Sequence, residues 1–259
     1  MSEEKITVQI IKKIAAGLND DLANIVFIGG IASFLYHYKL KMAPLLYTYD
    51  LDAVVKKTRS GNLRTNIEKI GFVELPARGR GKSSGKFSTD RWAVKGRKVK
   101  IELLLPLKGK YEPWGKIEPG LEAERLRYLD MLTENCREID LGDGIVLNIP
   151  HPARFIIQKL LVYDKRKSPE EKEKDAAYVA GIIGLFFDRL DVISDEINAM
   201  GKRYLRNNET QRWVPRAIEK YIYLFGHITS DGTVAASQQL KTDSRIIYRQ
   251  AGIFIRRIS

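Results

Sequence analysis

The sequence predicts an α+β protein in two parts, an α/β domain over residues 1–150 and a helical domain over residues 151–259. Three observations predict it. Up to Pro150, short apolar runs rich in β-branched residues alternate with segments of helical periodicity. Beyond Pro150 the pattern is helical almost throughout. The length, 259 residues, and a hydrophobic fraction of 44% supply two modest cores.

The first helix is expected over Glu3–Leu18, where Ile6, Ile10, Ile14 and Leu18 form a stripe spaced by four. Asn19-Asp20-Asp21 ends it. NIVFIGG then reads as a short buried strand running into a double glycine, and IASFLYHYK resumes helical character. Lys39–Leu46 is a loop containing Pro44, Tyr47–Val55 is strand-like, and KKTRSGN is a turn. A helix over about Leu63–Ile70 precedes a strand in GFVEL. Pro76–Ser88 is a Gly/Ser/basic loop without periodicity, expected to be exposed and mobile. Arg91–Val94 and Lys98–Leu105 read as a hairpin turning at Lys95-Gly96. Pro106–Gly120 reads as irregular, Glu122–Asn135 as a helix, and Ile145–Pro150 as the last strand. Helices are then expected over Pro152–Arg166, Pro169–Asp188, Leu190–Leu205 and Pro215–Phe225, before a basic, amphipathic Ser237–Ser259.

Composition excludes several classes. With 29% charged residues and ample apolar material, the chain is neither disordered, collagen-like nor a disulfide scaffold. One cysteine, Cys136, allows no internal disulfide. The three histidines, His37, His151 and His227, are too scattered to suggest a local zinc site. The N-terminus carries acids where a signal peptide is basic, and no apolar run reaches bilayer length. A cytoplasmic protein without a membrane partner is expected.

Charge is more informative. Lys and Arg number 44 against 32 Asp and Glu, leaving +12, which favours polyanions. That excess is local. Between Arg78 and Lys110 eleven basic residues, among them Arg78, Arg80, Lys82, Lys86, Lys98 and Lys100, face only Asp90 and Glu102. The alternative for such a run is a solvated surface.

Three short elements could carry chemistry. Asp50 and Asp52 of YTYDLDAVV point to one face of a strand, their α-carbons about 6.6 Å apart. At that distance two carboxylates repel by about 3 kcal/mol at an effective dielectric of 20, so a cation is expected to offset them. Paired aspartates suit Mg²⁺, which takes one or two carboxylates together with phosphate oxygens. Phe27-Ile-Gly29-Gly30-Ile-Ala-Ser33 is a strand that ends in two glycines and enters a helix, exposing backbone N–H groups to a phosphate. Glu102 interrupts the apolar strand VKIELLL, as a third metal ligand or as the partner of a lysine on its own face. A P-loop reading of GRGKSSGKF fails, because Arg80 and Phe87 occupy positions that need glycine and a hydroxyl.

The order of these elements, strand–Gly-Gly–helix, then D-x-D, then a strand with one acid, resembles the nucleotidyltransferase superfamily of the DNA polymerase beta type. Downstream, IPHPARFIIQKLL with Lys159, then Arg166, then KEKDAAY with Asp175, is similar to a segment of AbiEii-like toxin nucleotidyltransferases and their bacterial relatives. The resemblance covers about residues 20 to 187. It implies a nucleotidyltransferase-fold mixed sheet with flanking helices. It also implies a metal-dependent transfer of a nucleoside monophosphate from an NTP, ATP among the candidates, to an acceptor hydroxyl. Asp50, Asp52 and Glu102 would be catalytic and would hold Mg²⁺ or Mn²⁺. Gly29, Gly30, Ser33, Lys159, Arg166 and Asp175 would bind the nucleotide. Arg78, Arg80, Lys82, Lys86, Lys98 and Lys100 would contact a nucleic-acid acceptor, with tRNA a candidate and an antitoxin protein a candidate partner.

The sequence departs from the pattern in three places: Gly30 stands where the motif has serine, the spacer to Asp50 is long, and Tyr178 replaces a second aspartate. The alternative is therefore a non-catalytic nucleic-acid-binding protein on a degenerate scaffold. An antibiotic-modifying activity fits less well, since cationic drugs favour an acidic cleft.

Overall fold

The computed structural model describes residues 3–44, 48–56, 61–76, 83–94, 97–107, 109, 112–207 and 210–258, excluding the side chains of 3–6, 19–20 and 92–94. The chain divides into two compact units, Met1–His151 and Pro152–Ser259.

The first unit is built on a mixed sheet. Helix α1 (Glu3–Gly17) buries Ile10 and Ile14, and Leu18 beyond its end completes the described part of the stripe. Strand β1 (Ile25–Ile28) is buried along its whole length and runs directly into α2 (Gly29–Lys39). There follow β2 (Asp50–Val55), α3 (Leu63–Lys69), β3 (Val73–Glu74), β4 (Lys86–Val94) and β5 (Arg97–Pro106). The unit closes with β6 (Trp114–Glu118), β7 (Leu121–Leu126), α4 (Leu129–Leu132), β8 (Arg137–Asp140) and β9 (Val146–Ile149). The described strands join in the order β3-β4-β5-β2-β1-β9-β8, with β7 also beside β5 and β6 beside β7. Pairing is parallel for β2–β5, β1–β9 and β5–β7, and antiparallel for β1–β2, β3–β4, β4–β5, β6–β7 and β8–β9. Phe27, Phe34, Phe72 and Phe87 are fully buried, each worth roughly 1.5–3 kcal/mol of transfer free energy.

Four expectations are corrected. The loop over Pro76–Ser88 ends early: β4 begins at Lys86, Phe87 is fully buried, and the Ser84 amide donates to Glu74 Oε1 at 3.0 Å. The expected irregular stretch contains β6. The helix expected over Glu122–Asn135 is instead β7 followed by the short α4. Its glutamates favour helix locally, but Leu121 and Ala123 are buried while Glu122 and Glu124 stay partly exposed. That period of two fits a strand already flanked by β5 and β6, so tertiary context overrides propensity. Strand β8 lies between the expected elements and pairs β9.

The second unit is helical. It comprises α5 (Pro152–Val162), a 3₁₀ turn at Tyr163–Lys165, α6 (Pro169–Leu185), α7 (Leu190–Tyr204), α8 (Trp213–Phe225), α9 (Asp231–Leu240) and α10 (Ser244–Ile258). The helix expected to reach Arg166 therefore stops at Val162. Pro169 opens α6 and its cap Ser168 is extended, accepting from the Glu171 amide. The basic C-terminal segment divides at Lys241, whose φ of 50° closes α9. Tyr221 packs against Phe225 and Phe254 at centroid distances of 5.0 and 5.2 Å. Arg154 and Glu196, nearly buried, pair at 2.6 Å.

Candidate active site

The strand β1 to helix α2 turn depends on Gly29. Its φ is +64°, a region L-residues avoid. Space is closed as well, because a Cβ there would overlap Asp52 Oδ2. The carboxylate of Asp52 thus lies against the opening residue of α2, where the helix presents unsatisfied N–H groups. The register explains this placement, since Asp52 stands opposite Ile28 in the antiparallel β1–β2 pair.

Across the other edge of β2, the parallel pairing sets Asp52 opposite Glu102 and Asp50 opposite Lys100. Side chains alternate in a strand, so Asp50, Asp52, Lys100 and Glu102 share one face of the sheet. Strand β4 adds Lys86 opposite Glu102. The row Lys86–Glu102–Asp52 therefore runs straight across three strands. Lysines meet acids of this face: Lys86 Nζ is 2.7 Å from Glu102 Oε1, and Lys100 Nζ is 3.7 Å from Asp50 Oδ1. Burial disfavours the charge on Lys86, but the hydrogen bond to Glu102 and the fields of Glu102, Glu124 and Asp52 outweigh it and raise its pKa. Both pairs keep substantial exposure, with side-chain values of 42% and 31% for Lys86 and Glu102 and 55% and 57% for Lys100 and Asp50. Exposed pairs of this kind hold by about 0–1 kcal/mol, so they exchange partners readily.

Among the described residues no three His, Cys, Asp or Glu side chains stand as a ready metal cluster. The donor chemistry nevertheless fits a hard divalent cation. Asp52 and Glu102 are direct cross-strand neighbours and Asp50 follows on the same face, giving the oxygen-only set such ions take.

Other candidates fall elsewhere. Ser33 is buried inside α2, and its carbonyl lies 2.8 Å from His37 Nδ1. Gly30 is the second residue of that helix and is buried. Lys98 pairs with Asp90 at 2.8 Å on the exposed β4–β5 ribbon. Arg78, Arg80 and Lys82 lie outside the described residues.

In the second unit Lys159, Arg166 and Asp175 come together. Asp175, 3% exposed, is 2.8 Å from Lys159 Nζ and 2.7 Å from Arg166 Nε. Arg166 reaches it from an extended backbone rather than from the helix face that a spacing of seven suggests. Lys159 also lies over the rings of Phe155 and Tyr178, at 5.5 and 5.2 Å. Tyr178 thus walls the buried ammonium.

Sequence reasoning missed two residues. Glu118 is buried and accepts from the amides of Leu63 and Arg64 at 3.0 and 2.9 Å, capping α3; a lone acid in an unassigned segment gave no sign of this. Glu74 receives the amide of Ser84 and an ion pair from Arg64 at 3.1 Å, so it fastens the chain just before β4.

A family described as nucleotidyltransferase matches residues 6–199. No curated protein matches. Among solved structures, an antigenic nucleotidyltransferase-like protein from Paracoccidioides brasiliensis is similar at 16% identity and a TM-score of 0.44, over 83% of this chain and 94% of that one. The antibiotic-resistance factor ANT(2'')-Ia is similar at 16% identity and a TM-score of 0.37, over 76% of this chain and 99% of that one.

Proposed function

Because the chain belongs to this nucleotidyltransferase family, and so is a transferase acting on an NTP and a nucleophilic acceptor, we propose that Asp50, Asp52 and Glu102 are its catalytic carboxylates and that the acceptor is RNA. The observation that carries the reading is the cross-strand register of Asp52 and Glu102, with Asp52 set against Gly29 at the head of α2.

A Mg²⁺ or Mn²⁺ ion held by Asp50, Asp52 and Glu102 would supply the charge that steadies the α-phosphate and lowers the pKa of the attacking hydroxyl. The chain's own groups do the rest. Backbone N–H groups at Gly29 and Gly30 face phosphate oxygens at the positive end of α2. Lys159 and Arg166 converge on Asp175, with Glu171 3.9 Å from Arg166, and these two cations are the groups of that unit that would meet phosphate. Glu102 is the candidate to take the acceptor's proton. The basic strip, from Arg78, Arg80 and Lys82 through Lys86 to Lys98 and Lys100, supports a nucleic-acid acceptor, tRNA being the first to test. The motif around Lys159, Arg166 and Asp175 supports kinship with AbiEii-like toxins, and hence an antitoxin as partner.

The test is transfer from each of the four labelled NTPs to total tRNA with Mg²⁺ or Mn²⁺. Asp50→Asn and Asp52→Asn should each abolish transfer while the far-UV circular dichroism stays unchanged. Wild-type rates in either variant would remove the carboxylate assignment.

A further inference from the structure

The acid row contains a cation of the chain's own. Lys86 sits at the end of Lys86–Glu102–Asp52, donating to Glu102 at 2.7 Å and within the electrostatic reach of Asp52 and Glu124. Its backbone is well fixed. Gly85 before it has a φ of +64°, and a Cβ there would press on the Glu122 carbonyl and Ala123. The Lys86 amide donates to Ser84 Oγ at 3.1 Å, and Gly85 O accepts from the Leu103 amide at 2.8 Å. The anchor is rigid, whereas the side chain remains 42% exposed and has four rotatable bonds. A lysine so placed can release one anion and take another without any movement of the sheet.

We propose that Lys86 is a built-in counter-ion that occupies Glu102 in the free enzyme and passes to the triphosphate when nucleotide binds, so that metal and nucleotide load together. This rests on the reading of Glu102 as a metal ligand. Without nucleotide, a divalent ion must displace Lys86 from Glu102 and tolerate a positive charge beside it. With nucleotide, the phosphates give Lys86 an alternative partner and Glu102 becomes available. Binding of each ligand then favours the other, and such coupling is reciprocal. Lys100 does not share the role. Its separation from Asp50 is 3.7 Å, too long for a hydrogen-bonded ion pair.

The experiment is Mn²⁺ binding followed by electron paramagnetic resonance, with and without a triphosphate whose α–β bridge cannot be cleaved. Lys86→Met should tighten Mn²⁺ binding to the nucleotide-free protein by two- to about fivefold, the scale of one exposed ion pair. It should also shrink the gain in Mn²⁺ affinity that the triphosphate gives wild type. Lys86→Arg, which keeps the charge and can keep the pair, should retain weak nucleotide-free binding. An Mn²⁺ affinity unchanged in Lys86→Met, while Asp52→Asn loses binding, overturns the counter-ion role and leaves the carboxylate site standing. No Mn²⁺ binding by wild type or Lys86→Met, with or without triphosphate, overturns the metal site and the inference with it.

Discussion

Replacing Gly29 by alanine tests the closest contact of the site. Two separate costs follow from the geometry. The φ of +64° places an L-residue in the left-handed region at about 1–2 kcal/mol. The new methyl overlaps Asp52 Oδ2, and relieving such an overlap costs roughly 1–3 kcal/mol. Gly29→Ala should therefore destabilise by about 2–5 kcal/mol, on the scale of 5–15 °C in Tm for a unit of this size. The two costs separate in a double-mutant cycle with Asp52→Ala. Once the carboxylate is gone only the backbone term remains, so Gly29→Ala should cost about 1–2 kcal/mol in that background. Urea unfolding of the four proteins, followed by circular dichroism and Trp fluorescence, measures the cycle. An equal cost of Gly29→Ala with and without the Asp52 carboxylate would refute the contact, and with it the placement of that acid at the head of α2.

Asp175→Asn leaves the nearly buried Lys159 ammonium, and the partly exposed Arg166, beside a neutral amide. It should destabilise by about 3–5 kcal/mol in urea unfolding; a loss under about 1 kcal/mol would return the cluster to the surface. Burial lowers the His37 pKa below its ordinary 6.5, with the Ser33 carbonyl acting the other way. The unfolded chain then takes up the proton first, so His37 contributes stability above about pH 6.5 that is lost as pH falls toward its folded value. His37→Gln should flatten that decline between pH 7 and pH 5, measured as the slope of unfolding free energy. RNA affinity should fall with salt at a log–log slope of about −0.7 to −0.9 per neutralised phosphate. Changing Arg78, Arg80 and Lys82 together to serine should reduce that slope by about 2–3 in filter-binding titrations while leaving triphosphate binding intact.

The parts of the fold with one strong signal were legible. Gly29-Gly30 after IVFI marks the β1–α2 turn, because glycine is the residue for that backbone. The D-x-D alternation placed Asp50 and Asp52 on one face before any partner strand was known. The strand pairings were not legible. That Glu102 stands opposite Asp52, and Lys86 opposite Glu102, follows from pairings between segments far apart in sequence. The lysine expected to meet RNA is consequently found bound to an acid of the site. Residues Leu121–Leu126 misled because LEAERL satisfies helix propensity as well as strand alternation. Only the open edge of β5 decides between them. Arg166 follows Lys159 by seven residues, a spacing that in a continuous helix puts both on one face. It meets Asp175 all the same, from an extended backbone beyond the 3₁₀ turn at Tyr163–Lys165 that follows the end of α5.

The place of β1 in the sheet bears on how the protein can be made. This strand, with Ile25 and Val26 wholly buried, lies between β2 and β9. Its pairing with β9 joins Val26 to Asn148. During synthesis β1, β2 and β5 emerge long before β9 does. Until then one flank of β1 is an unpaired apolar edge, the kind that recruits strands from other chains. Parallel pairing across such a separation is also slow to form. A ribosome-bound chain shorter than about 150 residues thus holds all three acids of the site, Asp50, Asp52 and Glu102, without a closed sheet to present them. The last strand of the first unit acts as its clasp, so the sheet that carries this row of acids closes only once β9 has joined β1.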